Sequence, residues 1–133
     1  MRRLVVLLAL AVLAGCGARP ADLFLVERSG ADPAANLTMV VSDGGNVTCN
    51  GKEHQLDGDR LLRARAITRA LAKSAELGLE LPPGPGANLS YKVTLEAGHV
   101  SFSDTSKGNP QAFNELAAFT KDVSERVCGI SRE

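Results

Sequence analysis

The sequence predicts an α+β fold, in which an antiparallel sheet of four to five strands carries two helices on one face. Strand-like segments rich in β-branched and aromatic residues come in hairpin pairs, and a long segment with helical apolar periodicity follows each group. The resulting order is β-β-(β)-α-β-β-α. Runs of strands followed by helices favour an antiparallel sheet with its helices on one side.

The first group of strands occupies the segment before residue 50. Residues 22–29 form a β-rich segment, and a second one covers residues 37–43. Asp43-Gly44-Gly45-Asn46 is typical of a hairpin turn. A short third strand then covers Val47 to Cys49, and Asn50-Gly51 is expected to end it.

The clearest helix covers residues 59–77. Asp57 or Asp59 can cap its first turn, and Gly78 can end it. Apolar residues at four-residue spacing predict the side that packs on the sheet. They form two rows, Leu62, Ala66, Ala70 and Ile67, Leu71, Ala75.

The second half begins with residues 81–88, whose prolines and glycines predict a stiff, exposed loop. Alternating residues over 90–105 predict a hairpin that turns at 97–99. Pro110 can open a last helix, with Asn109 as its cap. Its predicted apolar stripe contains Phe113, Leu116, Ala117, Phe119 or Thr120, Val123 and Val127.

The N-terminus is typical of an export signal. Arg2 and Arg3 precede an apolar run at 4–14, which is too short to span a bilayer. Leu13-Ala14-Gly15-Cys16 is similar to the lipobox of bacterial lipoproteins. The alternative is an ordinary secretory signal with a chance cysteine.

The lipobox resemblance implies that the chain is cut before Cys16 and that this cysteine carries a diacylglycerol. Residues 1–15 would then be the signal peptide, 16–21 a lipidated tether, and 22–133 a single domain. The protein would be extracytoplasmic and lipid-anchored to the bacterial cell membrane. Its first partner would be that membrane.

The chain has three cysteines, so two remain to form a disulfide if the third carries lipid. If Cys16 is acylated, Cys49 and Cys128 remain, and an oxidising compartment favours a disulfide between them. The alternative is two free buried thiols. Two cysteines without a nearby histidine offer too few ligands for a metal, so we predict no metal site.

Charge argues against a nucleic-acid-binding protein, and the absence of a catalytic motif argues against an enzyme. Without residues 1–15 the chain keeps 13 basic and 15 acidic side chains, a net charge of −2, which does not suit a nucleic-acid binder. His54 and His99 are the only histidines, and neither lies in a motif that supplies a nucleophile and an orienting group. We therefore predict a non-enzymatic protein with no cofactor.

Two segments are candidate interaction surfaces. Arg65, Arg69 and Lys73 recur at four-residue spacing on the first helix and are candidate membrane-facing residues. The alternative is a solvated outer face. A stiff loop can bind a protein partner at low entropic cost, although it can also be a simple connection. The candidate partner-binding residues are Pro82, Pro83, Gly84, Pro85 and Gly86.

The order of several short segments resembles the emfourin-type small proteins, a family that includes inhibitors of thermolysin-like metalloproteases. The matching segments are Glu27 to Gly30, Leu79 to Pro82, Tyr91 to Gly98, Phe102 to Asp104, and Pro110 with the helix after it. Together they span residues 22–127. The resemblance implies an α+β fold without catalysis, and it carries over no inhibitory residue.

These observations predict a membrane-anchored lipoprotein of the bacterial cell envelope that acts as a non-enzymatic binding module. One alternative is an inhibitor of a thermolysin-like metalloprotease, whose partner would be an extracytoplasmic protease. Another is a hydrolase whose site has no recognisable motif.

Overall fold

The computed structural model describes residues 21–131. The predicted signal peptide at 1–15, the candidate lipidation residue Cys16 and the expected tether as far as residue 20 lie outside the described residues. Residues 21–131 form one layer of strands and one layer of helices.

The sheet has six strands, all antiparallel to their neighbours, in the order β4-β3-β2-β1-β5-β6. The α+β class is confirmed, with one strand more than the four to five predicted. The strands are β1 (Asp22–Gly30), β2 (Leu37–Ser42), β3 (Asn46–Cys49), β4 (Lys52–Gln55), β5 (Leu89–Leu95) and β6 (Gly98–Ser103), and the helices are α1 (Gly58–Glu76) and α2 (Gln111–Arg126). A short 3-10 helix, Pro33–Ala35, joins β1 to β2.

The additional strand is β4. Asn50 and Gly51 both have positive φ angles, 49° and 85°, as a two-residue hairpin turn requires. The chain therefore reverses at Asn50-Gly51 instead of leaving the sheet there. Four residue pairs then join β3 to β4, from Cys49 opposite Lys52 to Asn46 opposite Gln55.

Helix α1 begins and ends within one residue of the predicted bounds, 59–77, and Asp57 is the one of the two candidate residues that caps it. The Asp57 carboxylate accepts a hydrogen bond from the backbone N–H of Arg60 at 2.9 Å and caps the first turn. Leu77 is the C-terminal cap of the helix. Gly78 follows with a φ of 59°, the left-handed conformation that commonly ends helices.

Of the two apolar rows predicted to pack α1 on the sheet, only one is buried. Ala64, Ile67, Leu71 and Ala75 are buried, which confirms the second predicted row and adds Ala64. The first row, Leu62, Ala66 and Ala70, is exposed, and Leu62 retains 62% of its surface. Both rows have helical spacing, and only one side of the helix meets the sheet.

Helix α1 crosses one end of the sheet. Its residue Arg65 contacts Asp43 in the β2–β3 turn, and Ala75 lies against Gly98 at the start of β6. A Cβ on Gly98 would lie 2.1 Å from the Ala75 carbonyl oxygen, so this close crossing requires glycine. Between these contacts, α1 passes the start of β1.

Helix α2 packs with the predicted apolar stripe, but its cap differs. Phe113, Leu116, Phe119, Thr120 and Val123 are buried. Asn109 was predicted to cap the helix and does not; its side-chain amide donates to the Ser103 carbonyl at 3.0 Å. Pro110 occupies the cap position without a side-chain hydrogen bond.

The core lies between the sheet and the two helices. Phe24 of β1 and Phe119 of α2 meet edge to face with ring centroids 5.9 Å apart. At the far end of α2, the predicted disulfide between Cys49 and Cys128 is present, with 6.3 Å between the two Cα atoms. It links the end of β3 to the residues after α2 across 79 positions of sequence.

Candidate binding surfaces

One face of the sheet carries no helix within residues 21–131. We call it the open face, and it consists of the strand residues that alternate with the core residues. Leu25 and Val40, directly opposite each other on β1 and β2, are half-buried at its centre. Around them lie polar side chains, of which Thr38, Lys92, Thr94 and His99 are exposed. An uncovered sheet face of this kind is available for contact with another molecule.

A depression of about 480 Å³ lies on the open face beside residues 82–86, which we call the Pro-Gly loop, and we call the depression the groove. Its floor is made by β1, β5 and β6, and its wall by the segment after α1. Glu27 and Lys92 are cross-strand neighbours on its floor, so the groove presents one acid and one base. The groove is lined by Glu27, Ser29, Leu81, Pro83, Lys92 and Ser101, among others.

The segment that enters the Pro-Gly loop runs along β6. The Ser101 N–H donates to the Leu79 carbonyl at 3.0 Å, and the Leu81 N–H donates to the Ser101 carbonyl at 2.8 Å. These bonds place Leu81 and Pro83 at the side of the groove. Pro82, Pro83 and Pro85 are exposed, as the sequence predicts.

The loop is also fixed from its other side, by a cluster of hydroxyls that sequence reasoning did not single out. The Ser106 hydroxyl donates to the Pro82 carbonyl at 2.9 Å, and the Thr105 hydroxyl donates to the Gly84 carbonyl at 3.0 Å. Ser103 lies 3.1 Å from Ser106, and both are buried. The available signal was the density of hydroxyl residues at 101–106, which favour bonds to nearby backbone.

Contact between the loop and this cluster is close. A Cβ on Gly84 would lie 2.1 Å from the Thr105 carbonyl oxygen. The backbone of the loop therefore lies directly on the β6–α2 connection. The loop is preorganised by these contacts as well as by its prolines, which lowers the entropic cost of binding through it.

The three predicted membrane-facing residues of α1 divide into two groups. Arg65 is half-buried, and its Nε donates to the Asp43 carboxylate at 2.6 Å while Nη2 donates to the Asp43 carbonyl at 2.9 Å. It fastens α1 to the β2–β3 turn. Arg69 and Lys73 are exposed, and Lys73 lies 3.9 Å from the Glu76 carboxylate.

A charged cluster joins α1 to α2. Arg60 donates from Nε to the Asp122 carboxylate at 2.8 Å, and its other side meets the cap residue Asp57. The hydrogen bond from Arg60 lowers the pKa of Asp122, with partial burial opposing it, and Asp122 in turn raises the pKa of Arg60. The Arg63 guanidinium lies 5.7 Å from the Phe119 ring centroid, a cation–π distance. These contacts stabilise the helix layer.

The two histidines lie far apart in the sheet. His99 is the second residue of β6, where its Nε2 lies 3.5 Å from a Glu80 carboxylate oxygen. His54 lies in β4, opposite Val47. Over residues 21–131 neither imidazole is hydrogen-bonded to a serine or threonine hydroxyl.

No group of three or more His, Cys, Asp or Glu side chains in the described chain is placed to hold a metal ion. Neither helix between residues 21 and 131 has the length and apolar content needed to cross a membrane.

Comparisons of the chain with protein-family models, with curated proteins and with solved structures gave no match. The geometry described above therefore carries the functional proposal.

Proposed function

We propose that this protein is a membrane-anchored lipoprotein of the bacterial cell envelope, and that its exported domain binds a protein partner without catalysis. The observation that carries the binding role is the groove on the open face. It joins a fixed, exposed proline loop to an uncovered sheet surface.

The cysteine arrangement supports the anchor. Cys49 and Cys128 are bonded to each other, which fits an oxidising extracytoplasmic compartment. Cys16 is then the one cysteine left over, and it stands at the end of a lipobox-like segment. Two or more acyl chains hold a protein stably at a membrane where one chain does not.

The chemistry of the groove indicates the kind of segment it suits. Glu27 and Lys92 offer charges of both signs, while Leu81 and Pro83 offer apolar surface. The hydroxyls of Ser29 and Ser101 add hydrogen-bonding groups. An extended segment of a partner with apolar and charged side chains would find complements to both.

The anchor is tested with Cys16→Ala. We expect this variant to leave the membrane fraction or to remain uncleaved, while Thr38→Ala, on the open face, behaves as the unaltered protein does. Mass spectrometry of the mature N-terminus would reveal the acyl modification directly. A Cys16→Ala variant that is cleaved and membrane-bound as before would contradict the anchor.

The groove is tested by affinity capture from detergent-solubilised membranes. We expect a Pro83→Ala/Lys92→Glu double variant to lose a partner that the unaltered protein captures. Lys52→Glu is the matched control, because Lys52 is an exposed lysine of β4 at the opposite edge of the sheet. If the folded double variant captures the same partner at the same level, the groove is not the binding surface.

A second candidate is inhibition of a thermolysin-like metalloprotease, which the emfourin resemblance implies. The observation that favours it is the Pro-Gly loop, which is exposed and held by hydrogen bonds from Thr105 and Ser106. Titration of a thermolysin-like enzyme with the purified protein tests this candidate. No loss of protease activity at a large excess of the protein would exclude it for that enzyme.

A further inference from the structure

The outer side of α1 carries an apolar stripe. Leu62 and Leu77 are the two large apolar side chains with high exposure among residues 21–131, at 62% and 71%. Ala66 and Ala70, both exposed, lie between them. Fifteen residues of helix separate the two leucines by about 22 Å along the axis. We call this surface, with the neighbouring Arg69 and Lys73, the outer face of α1.

This surface points away from the sheet. At 100° per residue, Leu62 projects roughly 180° from the centre of the buried side formed by Ala64, Ile67, Leu71 and Ala75. Leu77 projects about 120° from it. A molecule that covers the outer face of α1 would therefore lie on the opposite side of the domain from the open face.

Helix α2 lies in the same layer and has no such stripe. Its exposed positions include Asn114, Glu115, Lys121 and Arg126, with Ala118 the one apolar residue among them. The solvated surface of α2 is that of an ordinary amphipathic helix. Among residues 21–131, the large exposed apolar side chains of the helix layer are thus those of α1 and its C-terminal cap.

The start of the described chain lies beside α1. Ala21, Asp22 and Leu23 border the same depression as Thr68, Arg69 and Ala72 of α1. The Ala21 carbonyl accepts a hydrogen bond from the Asp43 N–H at 2.8 Å, which fixes this start to the β2–β3 turn. The five residues from Gly17 to Ala21 reach at most about 18 Å when fully extended. A lipid on Cys16 would thus hold the α1 end of the sheet close to the bilayer.

We propose that the outer face of α1 lies on the phospholipid surface of the membrane, with Leu62 and Leu77 inserted among the headgroups. This inference rests on the proposed lipid anchor. Arg69 borders the stripe and Lys73 lies within it, between Ala70 and Leu77, and both extend their charged ends toward phosphate groups. Glu76 lies close to Lys73, so the contact is mainly apolar and persists at high salt. The groove on the open face then points away from the membrane, toward a partner.

The chain contains no tryptophan, so a single introduced tryptophan reports its own surroundings. We would place it by Leu62→Trp and, separately, Leu77→Trp in the full, lipidated protein. Thr38→Trp and Thr94→Trp, both on the open face, are the matched controls. Each protein is reconstituted into vesicles of phosphatidylethanolamine and phosphatidylglycerol, with and without brominated acyl chains that quench tryptophan.

We expect the Leu62→Trp and Leu77→Trp variants to emit at shorter wavelength in vesicles and to be quenched by the brominated lipids, at low and high salt. The Thr38→Trp and Thr94→Trp variants should keep the emission of a solvated side chain. Equal, weak quenching at all four positions would overturn the orientation, even with the protein fully bound to the vesicles. Sedimentation with the vesicles separates the two proposals: a protein that does not sediment contradicts the anchor and the orientation together.

Discussion

The two faces of the sheet are built from alternate residues of the same strands, yet they differ in what covers them. On the covered face, Phe24, Val26 and Val41 are fully buried under the helices. On the open face, Leu25 and Val40, their immediate neighbours in sequence, remain half-exposed among polar residues. Because successive side chains of a strand point to opposite faces of the sheet, adjacent residues divide between a packed core and a surface available for binding.

This separation indicates which substitutions affect folding and which affect recognition. Changes on the covered face remove buried apolar contacts and should lower the free energy of unfolding. Changes on the open face alter a surface that contributes little to the core. The following predictions measure that difference, beginning with the largest expected effect.

Phe119→Ala should be the most damaging. The ring is fully buried, packs edge to face against Phe24 and underlies the Arg63 guanidinium. Its removal leaves a cavity, and we expect a loss of about 3–5 kcal/mol in the free energy of unfolding. Chemical denaturation measures this loss. Lys121→Ala, on the exposed side of the same helix, should change stability by less than about 0.5 kcal/mol. A comparable loss in both variants would mean that α2 does not pack as described.

Removing the disulfide by Cys49→Ser/Cys128→Ser should cost about 2–5 kcal/mol, because the bond restricts the unfolded chain over a long loop and links the helix layer to β3. Thermal unfolding with and without reductant gives an independent measure on the unaltered protein. Cys16→Ser serves as the control and should leave the domain's Tm unchanged. If alkylation without reductant labels both Cys49 and Cys128, the pairing is wrong.

Val41→Ala and Val40→Ala compare the two faces most directly, since the same residue type stands at adjacent positions of β2. Val41 is fully buried, and we expect its truncation to cost about 2 kcal/mol. Val40 is half-exposed, so the same change should cost well under about 1 kcal/mol. Equal losses would show that a second layer covers the open face.

The smallest effect concerns the Arg60–Asp122 contact between the helices. The hydrogen bond from Arg60 lowers the pKa of Asp122 in the folded protein, so its stabilising contribution is present above the unfolded pKa of about 3.9. That contribution is lost as the pH falls through the lowered, folded-state pKa. We expect Asp122→Asn to cost at most about 1 kcal/mol at neutral pH. Tm measured against pH should show the two proteins converging in acid. A difference that grows in acid would contradict this assignment.

Much of the fold follows from local pattern. The strand segments β1, β2, β5 and β6, a cap at Asp57 or Asp59 and the glycine after α1 were all predicted, since each depends on neighbouring residues. Strand β4 was missed, although Asn50-Gly51 is itself a strong hairpin signal. Its four residues, three of them exposed, have too little apolar alternation to mark a strand.

The rest depends on tertiary placement. Helix α1 has two apolar rows, and the sequence does not tell which row the sheet covers. The groove brings together residues near positions 27, 82, 92 and 101, a proximity that no local pattern encodes. The Pro-Gly loop was recognised as a candidate, while its attachment to Thr105 and Ser106 became apparent only in three dimensions.

The segment Leu79–Leu81 has a further consequence through its pairing with β6. Exposed strand edges recruit strands from other molecules and so promote aggregation. At one edge of the sheet, this segment already occupies hydrogen-bonding groups of Ser101. At the other edge, β4 is only four residues long and carries Lys52 and Glu53. Both edges are therefore protected against intermolecular strand addition, a property that the proposed lipid anchor would make more important by concentrating the domain on a two-dimensional surface.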